Sequence, residues 1–285
     1  MSGDPVWING SLAGRIDPAD RGLTLGDGVF DTLVSFRRMP FAAERHVARL
    51  VEHAAAIGIS LDPARVRAGW RAVIGDVKSE HVILRTTVTR GVTARGLWPN
   101  SSAAEPTIVV ASAAWRGDTM GRPVRLVTST IVRNAGSPTS RLKTIGYLDN
   151  ILAAREAADK GADDALLLNA DRKVACSTIA NLFALAGRRL LTPPSADGAM
   201  AGVVRGLIME AAGAMGIEAA ERSLQVMDLF SADEVFLTNS VRLVSPVQSL
   251  DGRPLGGRDA DRVAALLAAL AEKIRAEHGF DPRVA

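Results

Sequence analysis

The spacing of apolar positions changes along the chain, and the changes mark out its elements. Val6 to Asn9, followed by Gly10, predicts a strand entering a turn, and Val29 to Phe36 predicts a second strand that ends at the polar tip Arg37-Arg38. The period then lengthens to that of a helix. Over Ala43 to Ile57 the residues Val47, Leu50, Val51 and Ala54 share one face, and over Pro63 to Val77 the residues Val66, Trp70, Val73 and Ile74 do the same. The β-branched runs Val82 to Thr89 and Thr107 to Ala111 predict further strands. Gly117 to Pro123 breaks the pattern with two glycines and a proline and predicts a connection near residue 120. Beyond it a helix is expected around Tyr147, then a strand over Ala165 to Asn169 and a turn at Asp171-Arg172. Strands over Val174 to Ala186 and Leu190 to Thr192 follow, then a helix over Val203 to Met215, a strand over Glu234 to Thr238 and a helix over Ala260 to Glu277. The pattern is that of a mixed α/β (α+β) chain with a smaller domain over 1–119 and a larger one over 120–285.

Composition narrows the classes without adding elements. A length of 285 residues suits two domains, each with its own core. The 34 basic residues barely exceed the 31 acidic ones, and no Lys/Arg run is interleaved with aromatics, so no nucleic-acid partner is expected. The abundant arginine could draw in an anionic small molecule, although a background preference for arginine over lysine gives the same count. Cys176 is the only cysteine and the four histidines are scattered, which points away from disulfides and from a metal site. The start MSGDPVWING has no basic region followed by an apolar core, and apolar stretches such as Val263 to Ala271 fall short of a membrane span. A soluble, cytoplasmic chain is the expectation.

Candidate chemistry begins at LKTIGYLDN, residues 142–150, where one of five lysines, Lys143, precedes the only tyrosine, Tyr147, by four positions. Thr144 is placed to cap the following helix, and Leu148, Ile151 and Leu152 give that helix an apolar stripe. Alone, the segment also fits an exposed lysine beside a half-buried tyrosine. Gly26-Asp27-Gly28 lacks the further glycine and the Lys-Ser/Thr of a phosphate loop and reads as a turn, and no Gly-x-Ser-x-Gly elbow occurs. Four other segments suit an anionic, aldehyde-bearing ligand. Arg49 lies beside the apolar face of its helix, where a guanidinium can grip a phosphate. Gly202, Val203 and Val204 open a helix with free backbone N–H groups. Thr238-Asn239-Ser240 ends a strand with three hydrogen-bonding side chains. Arg90-Gly91 and Arg95-Gly96-Leu97 could form a clamp for a carboxylate. Each has a plain counterpart: a solvated arginine, an ordinary helix start, a polar turn, a surface loop.

The order of these segments resembles a known family. RGLTLGDGVFDTL (21–33), RHVARL (45–50), TRGVTARGL (89–97), RLKTIGYLDNILAAREA (141–157), STIANLF (177–183), AGVVR (201–205) and FLTNSVRLVSPV (236–247) are similar to segments of class IV aminotransferases, the fold-type IV enzymes dependent on pyridoxal 5'-phosphate. The resemblance implies two α/β domains with the cofactor in the cleft between them, in a homodimer. It makes Lys143 the lysine that joins the cofactor aldehyde and shuttles the proton, and Tyr147 the residue that hydrogen-bonds the cofactor's phenolic oxygen. Arg49, the amides of Val203 and Val204, and Ser240 with its neighbour Asn239 would hold the phosphate, and Asn181 would orient the strand under the ring. Many relatives carry threonine at Val204, so here only the amide remains.

One departure bears on mechanism. Five positions before Asn181, relatives carry a glutamate that keeps the pyridine nitrogen protonated, whereas this chain has Cys176, and no Asp or Glu occurs from Arg172 to Ala196. A thiol, with an ordinary pKa of about 8.5, is at best a weak neutral donor. A weaker electron sink should penalise transamination more than elimination of a good leaving group. The plainer alternative is a Cys176 that is only a buried small hydrophobe. The segments TNSVRLVSPV and RGVTARGL resemble the aminodeoxychorismate lyase branch, which implies release of pyruvate and 4-aminobenzoate, with Arg95 or Arg242 meeting substrate carboxylates. Amino transfer on branched-chain or D-amino acids is the second expectation, and a pyridoxal phosphate-binding protein with little turnover the third.

Overall fold

The computed structural model describes residues 4–94, 96–98 and 105–284. The chain forms two compact units, Met1–Trp115 with Leu142–Gly146, and Arg116–Arg141 with Tyr147–Ala285. A division at 119/120 was expected from the glycines and proline of 117–123. The first unit ends at Trp115, within several residues of that position, and also takes in the short stretch around Lys143.

The first unit comprises β1 (Val6–Ile8), α1 (Arg21–Leu25), β2 (Gly28–Phe36), β3 (Met39–Pro40), α2 (Ala43–Ala56), α3 (Pro63–Asp76), β4 (Val82–Thr89) and β5 (Thr107–Ala114). The strands pair antiparallel in the order β1-β5-β4-β2-β3. Leu33, Leu84, Val88, Ile108 and Val110 of the sheet pack with Val47, Leu50 and Ala54 of α2 and with Val66, Trp70 and Val73 of α3. Each large aliphatic side chain in this layer contributes roughly 1.5–3 kcal/mol relative to exposure. Asp62 caps α3 by accepting from the Ala64 amide, with Pro63 at the first helical position. Gly26 ends α1 in the left-handed region at φ 67°, so Gly26-Asp27-Gly28 is a turn into β2.

Residues 142–146 complete this unit as a strap on the edge of β2. Phe30 N–H donates to Lys143 O at 2.8 Å, Ile145 N–H donates to Gly28 O at 3.1 Å, and Thr144 forms an antiparallel bridge with Val29. Thr144 therefore does not cap the following helix. Tyr147 occupies that position, without a side-chain cap.

The second unit comprises β6 (Val124–Thr128), α4 (Leu148–Asp159), β7 (Asp164–Leu168), β8 (Val174–Ser177), β9 (Asn181–Ala186), β10 (Arg189–Thr192), α5 (Val203–Ala214), β11 (Glu218–Glu221), α6 (Val226–Ser231), β12 (Glu234–Asn239), β13 (Leu243–Leu250), β14 (Arg253–Pro254) and α7 (Ala260–His278). Its mixed sheet runs β11-β10-β9-β12-β13-β6-β7-β8, with β14 on β13. The single strand expected over Val174 to Ala186 is two. Ser177 Oγ accepts the Ala180 N–H at 3.1 Å and closes a tight turn between β8 and β9. The stripe of α4 is also reversed: Asn150, Ala153 and Ala157 are buried, while Leu148, Ile151 and Leu152 are 65%, 60% and 44% exposed. Small residues bring α4 close to β7 and leave the larger ones outside.

Candidate active site

In the first unit, α2 presents His46, Arg49 and His53 from one face, as their spacing of three and four dictates. They meet Asp31 of β2 and the strap. His46 Nδ1 donates to Asp31 Oδ1 at 2.6 Å, and Arg49 Nε and one terminal nitrogen reach Asp31 Oδ2 at 2.9 and 2.8 Å. Burial alone would raise the Asp31 pKa, but the charges of Arg49 and His46 and their hydrogen bonds hold it at about 2. Asp31 is thus an anion at neutral pH and fixes the Arg49 guanidinium. His53 Nδ1 accepts the backbone N–H of Lys143 at 3.0 Å.

Lys143 Nζ lies 4.2 Å from the centroid of the Phe30 ring, and the Arg85 guanidinium lies 3.7 Å from the same centroid. Desolvation, then the nearby Arg49 and Arg85 cations, pull the lysine down to about 8, against the opposing pull of Asp31. At pH 8 about half of such amines are neutral, against roughly one in three hundred for an ordinary lysine. A neutral amine is what attack on an aldehyde requires.

In the second unit, three elements end together at one edge of the sheet. Asn181 opens β9 and pairs in register with Thr238 near the end of β12. Its side-chain amide donates to Met200 O at 2.7 Å, which places it over the start of α5. Gly202 is the N-cap of α5, with no side-chain cap, so the amides of the first turn, those of Val203 and Val204 among them, are left for another acceptor. A Cβ on Gly202 would run into Asn181 Oδ1, so the close approach needs glycine here. Thr238 Oγ1 is buried at the same edge and has no hydrogen-bond partner among the described residues. An uncapped twelve-residue helix and an orphaned hydroxyl fit an anionic group such as a phosphate.

The other expected residues take varied places. Asn239 Oδ1 already accepts from the amides of Val241 and Arg242 at 2.9 and 2.8 Å, so its oxygen shapes the turn between β12 and β13. Ser240 and Arg242 follow in that turn, half-buried, and the Arg242 guanidinium has no partner among the described residues. Cys176 is 8% exposed among Ala153, Ala157, Ala165, Leu167 and Ala175. Burial raises its thiol pKa, against the opposing field of Arg133, so it stays neutral. Arg95 lies outside the described residues. Arg90 is no substrate clamp: its guanidinium is taken by Asp27 and by Ile57 O. Arg21 joins it on Asp27 and holds the carbonyls of Gly96 and Leu97 at 2.6 and 3.1 Å. Asp31, His46 and His53 are the participants that the sequence did not single out, although the heptad-like spacing of 46, 49 and 53 offered a signal. Among the described residues, no helix is long and apolar enough to cross a membrane and no group of three His, Cys, Asp or Glu side chains could hold a metal ion.

Taken separately, the first unit offers a lysine kept partly neutral and the second an open helix start suited to an anion. Residues 28–250 match the family described as amino-transferase class IV. The aminodeoxychorismate lyase of Bacillus subtilis is 25% identical, over 92% of this chain and 92% of that protein. The branched-chain-amino-acid aminotransferase of Pseudomonas aeruginosa is 26% identical, over 88% of this chain and 86% of that protein. The crystal structure of 4-amino-4-deoxychorismate lyase from Pseudomonas aeruginosa matches with a TM-score of 0.82 and 29% identity, over 96% of this chain and all of that one. The chain belongs to the class IV aminotransferase family, the fold-type IV enzymes that use pyridoxal 5'-phosphate.

Proposed function

We propose that this enzyme is a lyase of the 4-amino-4-deoxychorismate type, releasing pyruvate and 4-aminobenzoate. The supporting observation is Cys176, a buried neutral thiol at the position where the family resemblance implies a glutamate. Bound pyridoxal phosphate supplies an electrophilic aldehyde and an electron-withdrawing ring. In the first unit Lys143 would anchor it, with Arg49 on the phosphate. In the second unit the amides of Val203 and Val204 and the side chains of Asn239 and Ser240 would hold the phosphate, Tyr147 the phenolic oxygen, and Asn181 the strand beneath the ring. Lys143 Nζ then takes the proton from the substrate's amine-bearing carbon and returns one as general acid. Arg242 and Arg95 would meet the substrate carboxylates.

Without a carboxylate at position 176, electron pairs left by proton removal are best disposed of by departure of a leaving group. Amino transfer, which must return a proton elsewhere, is disfavoured. Both lyases and aminotransferases stand among the relatives, so transfer on branched-chain or D-amino acids is the second reading. Side-by-side assays decide: release of pyruvate with 4-aminobenzoate from aminodeoxychorismate, against transfer from a panel of L- and D-amino acids to 2-oxoglutarate. Cys176→Glu is expected to raise amino transfer about tenfold without improving the lyase reaction. If it improves no half-reaction, the electron-sink reading is wrong. A protein that holds the cofactor and turns over neither class of substrate would leave only the binding function.

A homodimer is part of the same reading, and the outward Leu148, Ile151 and Leu152 of α4 are the face we assign to it. Sedimentation should report twice the 30.0 kDa chain mass, and Ile151→Glu should shift it to one. A wild-type monomer at micromolar concentration would rule the assignment out.

A further inference from the structure

We propose that His53 is a positioning residue for Lys143, acting by accepting the lysine's backbone N–H at Nδ1. The inference rests on Lys143 being the cofactor lysine. The strap is tied to β2 through Lys143 O, Ile145 N–H and the Val29–Thr144 bridge. None of these contacts uses the Lys143 N–H. His53 Nδ1 accepts that N–H at 3.0 Å, so both polar groups of the lysine's main chain are held, one by β2 and one by α2. Fixing the backbone fixes where the Lys143 side chain starts. The same helix face carries Arg49, so one rigid element sets the place of both the lysine and the guanidinium.

The interaction dictates the state of the ring. An imidazole nitrogen that accepts a hydrogen bond must keep its lone pair, so His53 is neutral with its proton on Nε2. Burial disfavours a second proton. Arg49 on α2 and Lys143 on the strap disfavour it further, while Glu52 on α2 and Asp31 on β2 favour it, and the net effect lowers the ring below its ordinary value of about 6.5. The folded chain therefore binds this proton less readily than the unfolded chain. The hold on Lys143 is complete above the ordinary value and is lost as pH falls through the lower folded value.

Amide hydrogen exchange on the purified holoenzyme, read at Lys143, tests this with three variants. Asparagine can place an oxygen where Nδ1 stands, whereas alanine cannot and glutamine reaches to the Nε2 position. His53→Ala and His53→Gln are expected to lose about tenfold protection at the Lys143 amide, with the β2–β4 ladder unchanged, and His53→Asn to stay within threefold of wild type. After correction for intrinsic exchange, wild-type protection should fall below about pH 6.5 and that of His53→Asn should not. Equal loss in the Asn and Gln variants, or wild-type protection in the Ala variant, overturns the proposal. Borohydride reduction of the same samples separates this from the functional reading: with no pyridoxyl group on Lys143, the hydrogen bond stands and the cofactor assignment falls.

Discussion

Lys143→Ala is expected to lower turnover at least about a thousandfold, because in the proposed roles one side chain would be both the attachment point and the proton carrier, and general acid–base catalysis alone is worth about 10²–10⁴-fold. Borohydride treatment of the wild-type holoenzyme should leave a pyridoxyl group on the peptide containing residue 143 and on no other. The alanine variant should still fold, since the strap is held through main-chain atoms of Phe30, Ile145 and His53's partner amide, none of which the substitution removes. It should also bind pyridoxal phosphate reversibly through the phosphate groups of contact. Turnover within tenfold of wild type, or a reduced adduct on one of the other four lysines, would remove the central assignment.

The largest effect on stability is expected at Asp31. This carboxylate is 2% exposed and balances Arg49, which is 8% exposed, so Asp31→Ala strands a buried guanidinium and should cost about 3–5 kcal/mol. Asp31→Asn, which keeps an acceptor but not the charge, should cost less and still weaken retention of pyridoxal phosphate, because Arg49 is no longer fixed. The pH dependence has a definite sign. The folded carboxyl, at about 2, is more acidic than its ordinary value near 3.8, so the stability it confers is complete above about pH 4 and is lost as pH falls toward 2. Denaturant midpoints for wild type and Asp31→Ala should therefore differ most at neutral pH and converge in acid. A constant difference down to pH 2 would show that packing, not charge, explains the loss.

Much of the first unit was legible in the sequence because α2, α3 and β4 each bury one face with a single period and β2 is a continuous buried run. Helices α2 and α3 and strands β2 and β4 fall where Val47, Leu50, Val66, Trp70 and the run from Val82 to Thr89 place them. Strands β6 and β13 were missed: their buried residues, such as Val124, Leu126, Val244 and Val247, are interrupted by Arg125, Pro246 and Gln248, and the run is too broken to stand out. Helix α1 has five residues and α6 has six, too short for a helical period to declare itself. The reversal of α4 has another cause. Periodicity reveals that Leu148, Ile151 and Leu152 share a face but not which way the face points. At the site, Lys143 and Arg49 were found because residue type and motif single them out. Asp31, His46 and His53 were not, because their roles arise only when β2, α2 and the strap are brought together.

The strap has a consequence for how the molecule comes off the ribosome. Twenty-six residues of the second unit separate Trp115 from Leu142, so at about 5–20 residues per second the first 115 residues emerge seconds before the piece that finishes their sheet. Until then the Gly28–Phe30 edge has no partner there, and His53 and Asp31 stand ready around a place not yet filled. The residues around Lys143 are thus added last, to a first unit whose other residues have already been made.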